Sequence, residues 1–141
     1  MADLEGFRER HGLNSRLVKH EGRLVEEVYR VGGKYDPQIR RIVGHLTDAL
    51  PYAEPATAEA LRALIRFYTT GEEADRIAYD IAWVNDRASN VDTINGFVEV
   101  YMDPRGTKGA WEALVCHVNV DKTRRIEALA RHAQWFEDHM P

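Results

Sequence analysis

Residues 91–120 read VDTINGFVEVYMDPRGTKGAWEALVCHVNV, and this stretch decides the fold. It consists of two extended runs on either side of a short turn. Residues 103–106 (DPRG) predict a type I turn, because Asp, Pro and Gly suit its first, second and fourth positions. A lone glycine inside the first run, Gly96, predicts a bulge or a close approach of another backbone. The stretch is therefore predicted to be a β-hairpin that ends where a helix can begin, near Asn119 and Asp121.

The first run has two faces, because successive side chains of a strand point to opposite sides of the sheet. One face is predicted to carry Thr93, Asn95, Phe97, Glu99 and Tyr101, and the other Asp92, Ile94, Gly96, Val98, Val100 and Met102. On a regular strand, Asp92 and Asn95 would then point in opposite directions.

A second hairpin is predicted nearer the N-terminus, where two apolar runs within residues 17–31 flank the turn dipeptide Glu21-Gly22. Leu24, Val28 and Val31 also fit helical spacing, so a helix over 25–31 is the alternative.

Helices are predicted for most of the remaining chain. Asp36 is the expected N-cap of the first, with Pro37 at its first position and Pro51 beyond its end. The second runs from about residue 57 to Gly71, the third covers 72–84, and the last begins near Lys122 with Asp121 as its cap. The expected buried side of the third helix is Ile77, Ile81 and Val84, and that of the last is Ile126, Leu129, Ala130, Ala133 and Phe136. This order predicts a single α+β domain over residues 1–141, with a small antiparallel sheet of two hairpins packed with about four helices.

Composition excludes several classes of function. The chain has 141 residues, of which 44% are hydrophobic and 30% charged, and its net charge of −4 does not favour nucleic-acid binding. No apolar run approaches the roughly 20 residues that cross a membrane, and the N-terminal residues lack the features of a signal peptide. The single cysteine, Cys116, fits a reducing compartment and is expected to be buried. We therefore expect a cytoplasmic protein.

The sequence shows no metal signature. The zinc peptidase motif places two histidines one helical turn apart beside a glutamate. His20 and Glu21 match its first two residues, but the position four residues after His20, where the second histidine is required, is Leu24. Adjacent carboxylates such as Glu26 and Glu27 are interpreted as solvated. No metal ligand and no catalytic residue are therefore predicted in this chain.

Two acids in the central hairpin need a separate explanation, because burying an unpaired carboxylate costs free energy. Asp92 and Glu99 lie in otherwise apolar strands. Each either faces water, or forms a salt bridge with a nearby cation, or holds a specific ligand. The candidate cations are Arg87, Arg105 and Lys108.

Several segments carry a family resemblance. They are 96–101 (GFVEVY), 103–106 (DPRG), 108–112 (KGAWE), 12–19 (GLNSRLVK), 31–33 (VGG), 79–84 (YDIAWV) and 133–138 (AQWFED). The chain resembles the part of the dipeptidyl peptidase III family of zinc metallopeptidases that precedes the zinc motif. That motif, H-E-x-x-G-H, is absent here, so the resemblance implies that the metal is bound elsewhere in a full-length enzyme.

The resemblance also implies roles for individual residues. In the family, a carboxylate a few residues before the Gly-Phe pair binds the free amino terminus of the peptide, and Asp92 occupies that position. A tyrosine two residues later assists the scissile carbonyl in many members, whereas this chain has Ile94, which has no hydrogen-bond donor. Asp92, Asn95 and Glu99 are therefore the predicted substrate-binding residues.

The expected function is that of a non-catalytic portion of such an enzyme, forming one wall of the peptide-binding cleft and inactive alone. Its expected partners are the peptide substrate and a zinc-bearing lobe, with no nucleic acid and no membrane. The alternatives are a stand-alone module that binds peptides or proteins without a metal, and a purely structural fragment. An exposed apolar patch would fit a missing lobe and could also make the chain a homodimer.

Overall fold

The computed structural model of the protein describes residues 6–140. In chain order its elements are β1 (Ser15–His20), β2 (Arg23–Val28), α1 (Asp36–Ala49), α2 (Pro55–Thr70), α3 (Glu73–Asn85), β3 (Val91–Glu99), β4 (Ala110–His117), α4 (Val120–Ala130) and α5 (Ala133–His139). A 3₁₀ turn, Leu50–Tyr52, connects α1 to α2. The α+β class and both antiparallel hairpins are confirmed, and the hairpins form two separate two-stranded sheets.

The first hairpin turns through the predicted dipeptide. Glu21 and Gly22 both have positive φ angles, 47° and 80°, and His20 pairs with Arg23. A two-residue turn with both φ angles positive matches the twist of antiparallel strands. The alternative helix over 25–31 is wrong, because β2 occupies residues 23–28.

The start of α1 differs from the prediction by one residue. Tyr35 is the N-cap, with a left-handed φ of 63°, and Asp36 is the first helical residue. The Asp36 carboxylate accepts a hydrogen bond of 2.5 Å from the backbone N–H of Gly32 and another from the Arg40 side chain. Asp36 therefore holds the preceding turn, and the first turn of its own helix receives no side-chain cap.

The core lies between α1, α2, α3 and the inner face of β3. One face of α2 supplies most of it, because small and large apolar residues recur there at helical spacing. The buried cluster comprises Ile39, Ala60, Ala63, Leu64, Phe67, Tyr68, Tyr79 and Phe97. Gly71 ends α2 with a φ of 75°, as predicted for a helix C-terminus.

The C-terminal helices do not join this core. The last predicted helix is interrupted at Arg131 and His132, and every described residue from 113 to 140 is exposed. The prediction that Ile126, Leu129 and Phe136 form a buried side is therefore wrong: they are 63%, 54% and 44% exposed. The same holds on α3, where Ile77, Ile81 and Val84 are exposed. Apolar periodicity identifies the stripe on a helix but not what covers it.

The bulge of the central hairpin lies two residues beyond the predicted place. Gly96 pairs regularly with Glu112, whereas the register shifts between Phe97 and Glu99. The close approach of another backbone occurs instead at Gly109, just before β4. A Cβ atom there would lie 2.9 Å from the carbonyl carbon of Phe97. Because a bulge interrupts the two-residue alternation, Glu99 cannot be assigned to the face of Phe97 by counting.

Candidate functional site

The two faces of β3 have different environments. Thr93, Asn95 and Phe97 are buried or half-buried on the face toward the helices, whereas Asp92 and Ile94 are exposed on the other. The predicted alternation is thus correct up to the bulge. Two of the predicted substrate-binding residues, Asp92 and Asn95, lie on opposite faces of the strand.

Asp92 is held in place by one of its two carboxylate oxygens. The Trp83 indole N–H donates to Oδ1 at 2.8 Å, and the backbone N–H of Thr93 donates to the same oxygen at 2.7 Å. The other oxygen, Oδ2, receives no hydrogen bond from residues 6–140. Of the three explanations for this acid, a salt bridge to Arg87, Arg105 or Lys108 is wrong, because Asp92 forms no ion pair with residues 6–140. Arg105 and Lys108 pair with Glu9 instead. The structure therefore presents an oriented carboxylate with one oxygen open to solvent.

Trp83 is the residue of this site that sequence reasoning missed. It lies on α3, nine residues before Asp92, and its side chain is 36% exposed. The signal was present in the segment 79–84, where Tyr79 and Trp83 are spaced one helical turn apart. Both reach β3: the Tyr79 hydroxyl lies 3.4 Å from the carbonyl oxygen of Thr93.

The Tyr79 hydroxyl also contacts the backbone of β3. Burial, followed by the nearby Asp80 and Asp92 charges, raises the pKa of Tyr79 to about 12, so its hydroxyl remains a donor. That hydroxyl lies against the backbone of β3, near Thr93 and Asn95. The backbone of β4 over Ala110–His117 receives no hydrogen bond from residues 6–140 other than those of its pairing with β3.

Asn95 takes part in a chain of hydrogen bonds inside the protein. Its Oδ1 accepts a 2.5 Å bond from the Tyr68 hydroxyl, which in turn accepts a 2.9 Å bond from the Trp111 indole N–H. Tyr68 is fully buried, and burial raises its pKa, so its hydroxyl stays protonated. Asn95 also lines a cavity of 380 Å³, with Thr57 and Val115 among its other walls.

Glu99 is remote from both residues. Seven positions separate it from Asp92, which is about 23 Å along a strand. Its side chain forms no hydrogen bond or ion pair with the described residues, although its backbone pairs with Ala110. The three predicted site residues therefore do not converge on one small ligand, although they could contact successive parts of an extended one.

A second polar group, also missed, connects the turn after β3 to the first hairpin. Lys108 Nζ lies 2.7 Å from Glu9 Oε2 and 3.7 Å from Glu26 Oε1, and it donates to the Ser15 hydroxyl at 2.8 Å. Glu26 also accepts from the backbone N–H groups of Arg10 and His11. Its side chain is only 9% exposed, so the expectation that it is solvated is wrong.

These contacts determine the protonation of Glu26. Burial alone would raise the pKa of its carboxyl, but hydrogen bonds from the Arg10 and His11 backbone, the Ser15 hydroxyl and the His11 ring outweigh that effect. The pKa falls from 4.5 to about 2. The group is therefore a structural anion at neutral pH.

The described residues do not fit a zinc ion. Nowhere in residues 6–140 do three His, Cys, Asp or Glu side chains lie close enough together to bind a metal.

Two further expectations concern the cysteine and the membrane. Cys116, expected to be buried, is exposed. No helix in residues 6–140 is long and apolar enough to cross a membrane.

Comparison with known proteins tests the family resemblance carried by these segments of the sequence. Residues 10–141 match the profile of Peptidase family M49. Dipeptidyl peptidase 3 of Rattus norvegicus is 30% identical over 110 residues, which cover 77% of this chain and 15% of that protein. The enzyme of the same name from Dictyostelium discoideum is 30% identical over 127 residues, covering 88% of this chain and 18% of that protein.

A solved structure shows the same fold. DPP III from Caldithrix abyssi superposes with a TM-score of 0.68 over 90% of this chain and 24% of that one, at 19% sequence identity. The chain thus spans less than a fifth of the length of the curated relatives it matches. The resemblance read from the sequence is confirmed, and this chain belongs to peptidase family M49.

Proposed function

We propose that this chain is a non-catalytic portion of a dipeptidyl peptidase III-like zinc peptidase and forms one wall of its peptide-binding cleft. The observation that carries the proposal is the geometry of Asp92. An exposed carboxylate whose orientation is already fixed loses little entropy on binding. Its free Oδ2 can accept a charge-assisted hydrogen bond from an ammonium group. Asp92 would then bind the free amino terminus of a peptide.

Ile94 limits the role of this wall. It lies on the same face of β3 as Asp92 and is 40% exposed, and its side chain has no hydrogen-bond donor. The position can contact a peptide through apolar surface only. Stabilisation of a charged transition state would have to come from other residues.

The metal chemistry belongs to another part of the proposed enzyme. The family is one of zinc peptidases, and a zinc ion held elsewhere in such an enzyme would supply a Lewis acid and an activated water. The described residues bring together no ligand set for it. The exposed apolar stripe on α4 and α5, which includes Ile126, Leu129 and Phe136, offers a surface for the zinc-bearing lobe.

A stand-alone peptide-binding module is the second candidate. Asp92, Trp83 and Thr93 all lie within this chain, and the free oxygen of Asp92 is accessible in it. The amine site therefore needs no residue from another lobe. In that case the apolar stripe would be covered by a second copy, giving a homodimer.

The proposal predicts a preference for peptides with a free amino terminus. We expect a short free-amine peptide to bind about tenfold more tightly than its N-acetylated twin, because only the former offers a charged donor. Amide NMR titrations at millimolar peptide concentration measure both. Asp92→Asn should abolish the preference while retaining the contacts with Trp83 and Thr93.

Asp48→Asn is the matched control, since it removes the same charge from an exposed position on α1. It should leave the preference unchanged. Equal binding of the two peptides by the unmodified chain would contradict the role of Asp92.

We also expect the isolated chain to show no peptidase activity. With added zinc and a dipeptidyl arylamide, arylamine release should stay at the buffer rate, because no metal ligand set is present in residues 6–140. An intact dipeptidyl peptidase 3 serves as the positive control. Release that rises in proportion to the concentration of the pure chain would refute this expectation.

A further inference from the structure

We infer that the cavity between α1 and the β3–β4 hairpin is a binding site for an aromatic group that carries a carboxylate. Four aromatic side chains line it: Tyr29, Tyr35, Phe97 and Trp111. The ring centroids of Tyr29 lie 5.2 Å from Tyr35 and 5.0 Å from Phe97. Its volume of 560 Å³ is within the range of about 300–1,000 Å³ that is typical of small-molecule sites.

Three irregular features of the backbone meet at this cavity. Tyr35 has a φ of 63°, an unfavourable conformation for a bulky side chain. The β-bulge lies between Phe97 and Glu99, next to Ala110. At Gly109 the chain approaches the Phe97 backbone so closely that no side chain would fit. Strained residues and bulges cluster at ligand sites, where they set the direction of side chains.

Two of the aromatic walls are held in place. Phe97 is 8% exposed, and the Trp111 indole is held by its 2.9 Å hydrogen bond to the buried Tyr68 hydroxyl. A ring entering the cavity would therefore meet preformed aromatic surfaces, which favour edge-to-face or offset stacking.

The charges at the rim select an anion. Arg41 lines the cavity and forms no ion pair with residues 6–140, and none of the lining residues is acidic. Lys34 Nζ lies 5.3 Å from the centroid of the Tyr35 ring, but it also lies 4.0 Å from the Glu27 carboxylate, so Arg41 is the cation left to receive a ligand. Aromatic rings alone would also attract a cation, but the unpaired Arg41 guanidinium repels one. A carboxylate attached to the bound ring could pair with the Arg41 guanidinium.

This inference is independent of the proposed function, because it uses neither Asp92 nor the outer face of β3. Two kinds of ligand carry both an aromatic ring and a carboxylate: a free aryl carboxylic acid, and a peptide with an aromatic residue at its carboxyl terminus. Both present a ring and a carboxylate a few bonds apart. The experiment separates them.

The test is an NMR titration of the full chain with three matched probes: 3-phenylpropionate, its neutral amide, and 2-phenylethylamine. We expect the carboxylate to shift the signals of Phe97, Ala110 and the Trp111 indole N–H. It should bind about tenfold more tightly than the amide, and the amine should bind most weakly. An N-acetylated dipeptide ending in phenylalanine forms the peptide arm. Tighter binding of the peptide identifies a chain terminus as the ligand, and tighter binding of the acid identifies a free aryl acid.

Two variants make the test specific. Arg41→Gln should remove the preference for the carboxylate, whereas Arg40→Gln, a neighbour that pairs with Asp36 instead, should retain it. Tyr35→Gly should weaken all three probes about tenfold, because one ring is lost while the left-handed backbone suits glycine. A thermal melt checks that this variant is folded, and Tyr35→Asn, which also tolerates that conformation, replaces it if it is not.

The inference is overturned by equal shifts from the three probes or by tightest binding of the amine. It is also overturned if no probe shifts these signals at millimolar concentration, or if the folded Tyr35 variant binds like the unmodified chain.

Discussion

Replacing Leu64 with alanine is expected to lower the free energy of unfolding by about 3–5 kcal/mol. Leu64 is fully buried at the centre of the cluster formed by α1, α2, α3 and β3. Alanine favours the helix at least as well as leucine does, so the loss reflects only the cavity and the missing apolar contacts. Urea denaturation followed by far-ultraviolet circular dichroism measures it.

Leu129→Ala is the matched control for that experiment. It makes the same change at a helical position that is 54% exposed on α4, so the free energy of unfolding should change by no more than about 0.5 kcal/mol. A loss at Leu129 equal to the loss at Leu64 would mean that α4 is packed against the core, contrary to the fold described above.

The second large effect is expected at Glu26. The pKa of its carboxyl is about 2 in the folded chain, where Arg10, His11 and Ser15 donate hydrogen bonds to it, and 4.5 without those hydrogen bonds. A carboxyl with a depressed folded-state pKa stabilises the protein above its unfolded-state pKa, and that contribution is lost as the pH falls toward the folded-state value. We therefore expect on the order of 3 kcal/mol of stability, present above pH 5, to disappear between about pH 5 and pH 2.

Glu26→Gln should remove that stability at neutral pH and flatten the acid limb of the stability curve. The amide still fills the site but cannot accept from four donors as a carboxylate does. Glu27→Gln is the matched control and should change the stability curve far less. The Glu27 side chain is 34% exposed and pairs with Arg16, and such exposed ion pairs contribute little. An unchanged acid limb in the Glu26 variant would show that another group controls acid unfolding.

Local chemistry made much of the fold predictable. The turn at 103–106 forms its expected bond, from the Gly106 N–H to the Asp103 carbonyl, because those residue types suit that turn. Gly71 ends α2, and the apolar face of α2 forms the core, for equally local reasons. In each case, the residues that determine the structure lie within one or two turns of one another.

Contacts between distant parts of the chain were not predictable in this way. Glu26 is buried by groups up to 82 positions away, including Lys108, and no local pattern distinguishes it from the exposed Glu27. The bulge lies beside Phe97, where Gly109 approaches the backbone closely, whereas Gly96 pairs regularly with Glu112. Periodicity identified the apolar stripe of α4, but the described chain contains nothing that covers it.

The candidate site shows the same division. The resemblance predicted Asp92 as the position that binds an amine, and alternation predicted that it lies on the opposite face from Asn95. The contact with Trp83, which fixes the Asp92 carboxylate, depends on how α3 packs beside β3. Helical spacing places Tyr79 and Trp83 on one face of α3, but it does not identify the strand against which that face packs.

The most direct test of the central claim observes the Asp92 carboxyl itself. In a chain labelled with ¹³C at aspartate side chains, the Asp92 Cγ signal is assigned by its absence in Asp92→Asn. The account predicts that a free-amine peptide shifts this signal while its N-acetylated twin does not. An Asp92 signal that stays unmoved at millimolar free-amine peptide, or that moves equally with both peptides, would contradict the assignment of Asp92 as the amine anchor.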